Sequence, residues 1–68
     1  MKSISGKQLV KILDMHGWVL SRIQGSHHIY TKVGEIVRIS VPMHSNKDLK
    51  IGLLKHILKI AGIDITEI

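Results

Sequence analysis

A histidine stands directly after a glycine-serine pair near the middle of this sequence, in the run Gly-Ser-His-His-Ile-Tyr over residues 25–30. Histidine is the one side chain whose ordinary pKa lets it accept and donate protons near neutral pH. The same run supplies a hydroxyl at Ser26 and an aromatic ring at Tyr30. This clustering favours proton-transfer chemistry on nucleic acid at His27, with Ser26 as an assisting group. An ordinary histidine at the edge of a turn is the alternative.

Two further histidines are candidates to assist His27. Because successive side chains of a strand alternate, we expect His28 to point to the sheet face opposite to that of His27. The alternative to an assisting role is therefore that His28 is a partly buried or simply exposed histidine. His44 follows Pro42 in a loop, where functional groups often lie, and an exposed loop histidine is the alternative. A zinc site built from these three histidines is disfavoured, because no carboxylate or cysteine completes the ligand set. We therefore predict neither a metal nor a cofactor.

The net charge points to a polyanionic partner such as RNA. The sequence has 10 Lys and Arg against 5 Asp and Glu, a formal net charge of +5, which favours sequence-independent phosphate contacts. The sequence has no Phe, so recognition would depend on backbone charge and A-form shape rather than on stacking of single-stranded bases. For each candidate contact, a solvated surface position is the alternative. The candidate phosphate contacts are Arg22, Lys32, Arg38, Lys47 and Lys50.

Length and composition limit the architecture. With 68 residues, the chain is predicted to form one domain over residues 1–68 with a small core. It has no cysteine, which excludes disulfides and thiolate zinc sites and is compatible with a reducing cytoplasm. Stability must then come from a well-packed aliphatic core, from weak homo-oligomerisation or from a partner protein. No apolar run approaches the ~20 residues of a membrane span, so we predict a cytoplasmic protein without a membrane partner.

Two amphipathic helices are predicted at the ends of the chain. Ser5 and Gln8 fit a capping box that starts a helix over residues 6–16. Asn46 or Asp48 is expected to cap the second helix. The apolar stripe of that second helix is predicted to consist of Ile51, Leu54, Ile57, Leu58 and Ala61.

Three strands are predicted between the helices. Turn residues and apolar alternation place them over 18–24, 27–32 and 36–41, and Pro42 is expected to end the last one. Two helices on one face of a small three-stranded antiparallel sheet form an α+β two-layer domain of the order α-β-β-β-α. The opposite face of the sheet would stay open to solvent and suit binding or catalysis.

Several short motifs follow one another along the chain: Gly17-Trp18, Arg-Ile-Gln-Gly-Ser-His-His-Ile-Tyr over 22–30, Val-Pro-Met-His over 41–44, Gly52, and Ile-Leu-Lys-Ile-Ala-Gly-Ile over 57–63. In this order and at this length they resemble the HicA toxin family, small ribonucleases of bacterial toxin–antitoxin pairs. The resemblance covers nearly the whole chain, although each motif alone is weak. One departure is Leu53 after Gly52, where the family commonly has Thr.

This resemblance implies a fold like that of double-stranded-RNA-binding domains and a metal-independent endoribonuclease that acts on messenger RNA. It also implies that the histidine directly after the Gly-Ser pair, here His27, is catalytic, and that a HicB-type antitoxin neutralises the protein. The main alternative is a non-catalytic double-stranded-RNA-binding module. A protein-interaction module whose basic charge serves only solubility is a third interpretation.

Overall fold

The computed structural model describes residues 3–43, 47–64 and 66 of the chain. The element order is helix, three strands, helix, which confirms the predicted α+β layout. No helix within these residues is long and apolar enough to cross a membrane. The elements are α1 (Gly6–Met15), β1 (Val19–Gln24), β2 (His27–Thr31), β3 (Ile39–Pro42) and α2 (Ile51–Ala61).

Helix α1 begins with the predicted capping box. The Ser5 Oγ accepts a hydrogen bond from the Gln8 backbone N–H at 3.2 Å, and the Ser5 backbone N–H donates to Gln8 Oε1 at 2.9 Å. The helix ends at Met15, one residue before the predicted end, and His16 is its C-cap. Gly17 follows with φ +88°, the left-handed conformation that allows the chain to turn into the sheet.

The sheet of the described residues is antiparallel, in the order β1-β2-β3. Gly25 and Ser26 join β1 to β2, so that Gln24 pairs with His27. The register shifts between Leu20 and Arg22, which makes a bulge in β1.

Strand β3 differs from its prediction at both ends. It begins at Ile39 rather than at Ile36, because Tyr30 pairs with Ile39 and β2 ends one residue after Tyr30. Ile36 and Val37 therefore have no β2 residues opposite them, and Ile36 is 98% exposed. Alternation alone could not reveal this, because it does not say where the partner strand stops. Pro42 is the last residue of β3 rather than the residue after it, and an edge strand tolerates the missing N–H.

Helix α2 starts later than predicted. Its N-cap is Lys50, and none of the described side chains caps its first turn. Asp48 is not the cap because it forms an antiparallel bridge with Ser5, next to the bond that the Leu49 N–H donates to the Ile4 carbonyl at 2.8 Å. The other predicted cap, Asn46, lies outside the described residues.

The apolar stripe of α2 also needs one correction. Ile51 is 45% exposed, because it stands at the first position of the helix instead of one turn further in. Gly62 ends the helix with φ +72°. The buried residues of α2 are Leu54, Ile57 and Leu58.

The core lies between the helices and one face of the sheet. Both helices pack chiefly against β3. The buried residues on this face of the sheet include Tyr30, Ile39 and Val41. The remaining buried apolar residues of the described chain are Ile4, Leu9, Leu13, Trp18, Leu54, Ile57, Leu58 and Ile63.

Candidate active site

His27 is the first residue of β2, and its side chain is exposed. It pairs with Gln24 of β1 on one side and with Pro42 of β3 on the other. The next residue, His28, pairs with the buried Val41 and shares the helix-covered face with it, because directly opposed residues of antiparallel strands point to the same face. Successive strand residues alternate, so His27 lies on the open face.

The turn before His27 is tied to the end of β3. Gly25 has φ +59°, a conformation that glycine adopts without strain. The carbonyl of Ser26 accepts a hydrogen bond from the backbone N–H of Met43 at 2.7 Å. This bond holds Met43, the residue after β3, against the turn that precedes His27. The candidate His44 is the next residue in sequence and lies outside the described residues.

His28 and Tyr30 both lie on the helix-covered face. His28 is half-buried between its strand partners Ile23 and Val41, and Tyr30 is only 7% exposed. Burial raises the pKa of the Tyr30 hydroxyl, and the negative charge of Asp14 raises it further. The structure therefore gives both residues a packing position, and His28 does not reach the face on which His27 lies.

Three of the candidate phosphate contacts lie at the His27 end of the sheet. Arg22 is exposed and shares the open face with His27, because Gln24, two residues further along β1, is the direct partner of His27. Lys47 and Lys50 line a pocket of about 280 Å³ together with Pro42, the other strand partner of His27. The pocket is completed by Asp48, Leu49 and Leu53.

The other two candidate contacts lie at the far end of the sheet. Lys32 and Arg38 flank the connection between β2 and β3. A strand rises about 3.3 Å per residue, so the four steps along β2 from His27 to Thr31 put this end of the sheet roughly 13 Å from His27. The Nζ of Lys32 is 6.0 Å from the ring centroid of Trp18. The basic residues thus form two groups rather than a single cluster around His27.

Gln24 was not among the residues singled out in the sequence. It is exposed and is the cross-strand neighbour of His27 on the open face. A signal was present, because a two-residue turn at 25–26 makes the residues on either side of it direct partners. For metals, no group of three or more His, Cys, Asp or Glu lies together in the described part of the chain.

The geometry defines a two-layer α+β protein with an exposed histidine and basic side chains at one end of an open sheet face. The model of the family described as HicA toxin of bacterial toxin–antitoxin matches residues 6–63, from the first residue of α1 to just beyond α2. A comparison with curated proteins found no match. The chain belongs to the HicA toxin family.

Proposed function

We propose that this toxin is a metal-independent endoribonuclease that cleaves messenger RNA in the cytoplasm, with His27 as its catalytic residue. The observation that carries the proposal is the position of His27 on the open sheet face, beside Gln24 and on the same face as Arg22. An RNA strand could approach this face without displacing any helix, because both helices lie on the other side.

The proposed reaction is a proton-transfer reaction at a phosphodiester. RNA carries its own nucleophile, because its 2′-oxygen can attack the adjacent phosphorus while the bond from phosphorus to the 5′-oxygen breaks. One proton leaves the 2′-hydroxyl and one is delivered to the departing 5′-oxygen. A neutral imidazole at His27 can accept the first proton, or an imidazolium there can supply the second, and such help contributes about 10²- to 10⁴-fold in rate.

A second proton-transfer group completes this scheme. Ser26 and His44 are the candidates, Ser26 because it directly precedes His27 and His44 because it follows in sequence Met43, whose backbone N–H donates to the Ser26 carbonyl. We assign His28 no part in the proton transfer, because the strand register puts it on the sheet face opposite to that of His27.

The phosphate backbone would be held by two groups of cations. Arg22, Lys47 and Lys50 would contact phosphates next to the cleaved bond. Lys32 and Arg38 would contact the strand further along, roughly 13 Å from His27.

The partner that restrains the enzyme is a HicB-type antitoxin. Membership of a toxin–antitoxin family supports a protein partner, and the net charge of +5 favours an acidic one. If this partner covers the open face, His27 loses its reactivity toward diethyl pyrocarbonate in the complex. Equal modification in free and bound protein would show that inhibition acts elsewhere.

The test is cleavage of a messenger transcript by the purified protein in excess EDTA. We expect cleavage with a 5′-hydroxyl on the downstream fragment, because the 5′-oxygen is the leaving group. Binding without any cleavage would favour the double-stranded-RNA-binding module, and activity lost in EDTA but restored by zinc would contradict the metal-free mechanism.

A further inference from the structure

Strand β1 is an exposed edge of the sheet. All six of its residues are exposed, and among the described residues only β2 pairs with it. An edge strand presents backbone N–H and C=O groups that can pair with a strand from another chain. The other edge, β3, is four residues long, ends in Pro42 and packs against both helices. The structure therefore leaves β1 as the accessible edge.

The bulge in β1 puts two apolar side chains of this strand on the same face of the sheet. Leu20 pairs with Tyr30 and Ile23 pairs with His28, so both lie on the helix-covered face although they are three residues apart. Without the bulge, strict alternation would put Leu20 on the same face as Arg22. A bulge that redirects a side chain in this way is a specific structural feature of a fold rather than a defect.

The helices do not cover these two side chains. Both helices pack chiefly against β3, at the opposite edge of the sheet, and Leu20 and Ile23 remain 41% and 57% exposed. A partner that adds a strand to a sheet edge uses exposed apolar side chains next to unpaired backbone groups. The main-chain hydrogen bonds between the two strands give affinity, and alternate side chains give specificity.

Charge decides between the candidate occupants of this edge. A second copy of the chain would bring another net charge of +5 and would set two basic proteins side by side. Arg22 also projects from β1 on the open face, between the positions of Leu20 and Ile23. An added strand with acidic residues on that face would pair with Arg22, and its apolar residues would cover Leu20 and Ile23.

We propose that β1 accepts an extended strand from an acidic protein partner, in which carboxylates alternate with apolar residues. The added strand is a fourth strand, next to β1, in a sheet that otherwise has the three described strands. It covers the apolar side of β1 that the helices leave bare, and it places negative charge beside Arg22, on the face of His27. The inference goes beyond the proposed ribonuclease activity and does not depend on it.

A capped heptapeptide in which glutamate alternates with isoleucine serves as the probe. NMR titration of the full-length protein should show the largest amide shifts and slowed hydrogen exchange within Val19–Gln24. The same peptide with its three central amides N-methylated should bind about fivefold more weakly or worse, because it cannot complete the ladder. His27→Ala should bind the peptide as the unmodified protein does, so that failure here and failure of the ribonuclease proposal remain distinguishable.

Two matched variants test the side-chain contribution. Ile23→Glu should weaken peptide binding by about fivefold, and Ile36→Glu, at a 98% exposed isoleucine outside the strands, should leave it within about twofold. Equal binding of the N-methylated peptide, or shifts spread over the basic residues without protection of β1, would overturn the proposal. Self-association of the protein alone that Ile23→Glu abolishes would assign the edge to a second copy and overturn it as well.

Discussion

The first residue of α1, Gly6, lies directly against the carbonyl oxygen of Pro42, the last residue of β3. A Cβ at position 6 would overlap with that oxygen and would also meet the Sδ of Met43 at 3.2 Å. Pro42 is the strand partner of His27, and Met43 donates the hydrogen bond that holds the turn before His27. The start of α1 therefore sets the position of the strand end beside which His27 lies.

Gly6→Ala should destabilise the protein, although alanine is the better helix former. The overlap with backbone at Pro42 cannot be relieved by a side-chain rotation, so we expect a net loss of about 1–3 kcal/mol. In a domain of this size each kcal/mol lowers the thermal midpoint by about 4–8 °C.

Gly52→Ala is the matched control for this prediction. Among the described residues nothing lies within 4 Å of a Cβ at position 52, so alanine should stabilise α2 by about 0.5–1 kcal/mol. A thermal midpoint that rises for both variants would show that the contact between Gly6 and Pro42 is not restrictive.

Tyr30 should titrate above its ordinary pKa. Burial and then the charge of Asp14 raise the pKa of this hydroxyl above 10.0, and because the chain has 1 Tyr, absorbance of tyrosinate reports it alone. A group whose pKa is higher in the folded state contributes stability below the unfolded pKa and loses it as pH rises through the folded value. The free energy of unfolding should therefore fall above about pH 10, less steeply in Tyr30→Phe. A titration midpoint at or below 10.0 would contradict the burial of Tyr30.

A substitution at Lys50, the uncapped N-cap of α2, should change protein stability and RNA affinity in opposite directions. Lys50→Asp should supply the missing cap and stabilise the protein by about 0.5–1 kcal/mol, because a carboxylate accepts from the first-turn N–H groups and complements the helix dipole. The same change removes a proposed phosphate contact and should weaken RNA affinity. Equal RNA affinity of Lys50→Asp and the unmodified protein would remove Lys50 from the proposed interface.

Ser5→Ala, which removes the existing cap of α1, should destabilise the protein by about 1 kcal/mol.

RNA affinity should depend steeply on salt. Each phosphate contact contributes about 0.7–0.9 to the slope of log K against log salt, so Arg22→Gln should flatten the slope by about that amount. Lys55→Gln, at an exposed position on α2, is the charge-matched control and should change the slope little. Affinity that is constant between about 50 and 200 mM salt would argue against electrostatic binding altogether.

Locally determined features could be predicted from the sequence. The capping box of Ser5 and Gln8 needs only residues three positions apart, and Gly17 and Gly62 end their helices through their own backbone conformations. The placement of His28 on the sheet face opposite to that of His27 also follows from strand alternation.

Features that depend on distant segments could not be predicted in this way. The start of β3 is decided by where β2 ends, and the cap of α2 is decided by the bridge between Asp48 and Ser5. In the candidate site, the basic residues could be identified from the sequence, but their division between the two ends of the sheet could not, because that division follows from the strand register. The bond between Met43 and Ser26 likewise joins segments that only the folded sheet brings together.

The most direct test of the catalytic proposal is the single-turnover rate of RNA cleavage by His27→Ala and His56→Ala. His27 is exposed on the open face and His56 is exposed on α2, so neither change should alter circular dichroism or the thermal midpoint substantially. We predict that His27→Ala lowers the cleavage rate by about 10²- to 10⁴-fold, while His56→Ala cleaves at the rate of the unmodified protein. Cleavage by folded His27→Ala at the unmodified rate would contradict the account.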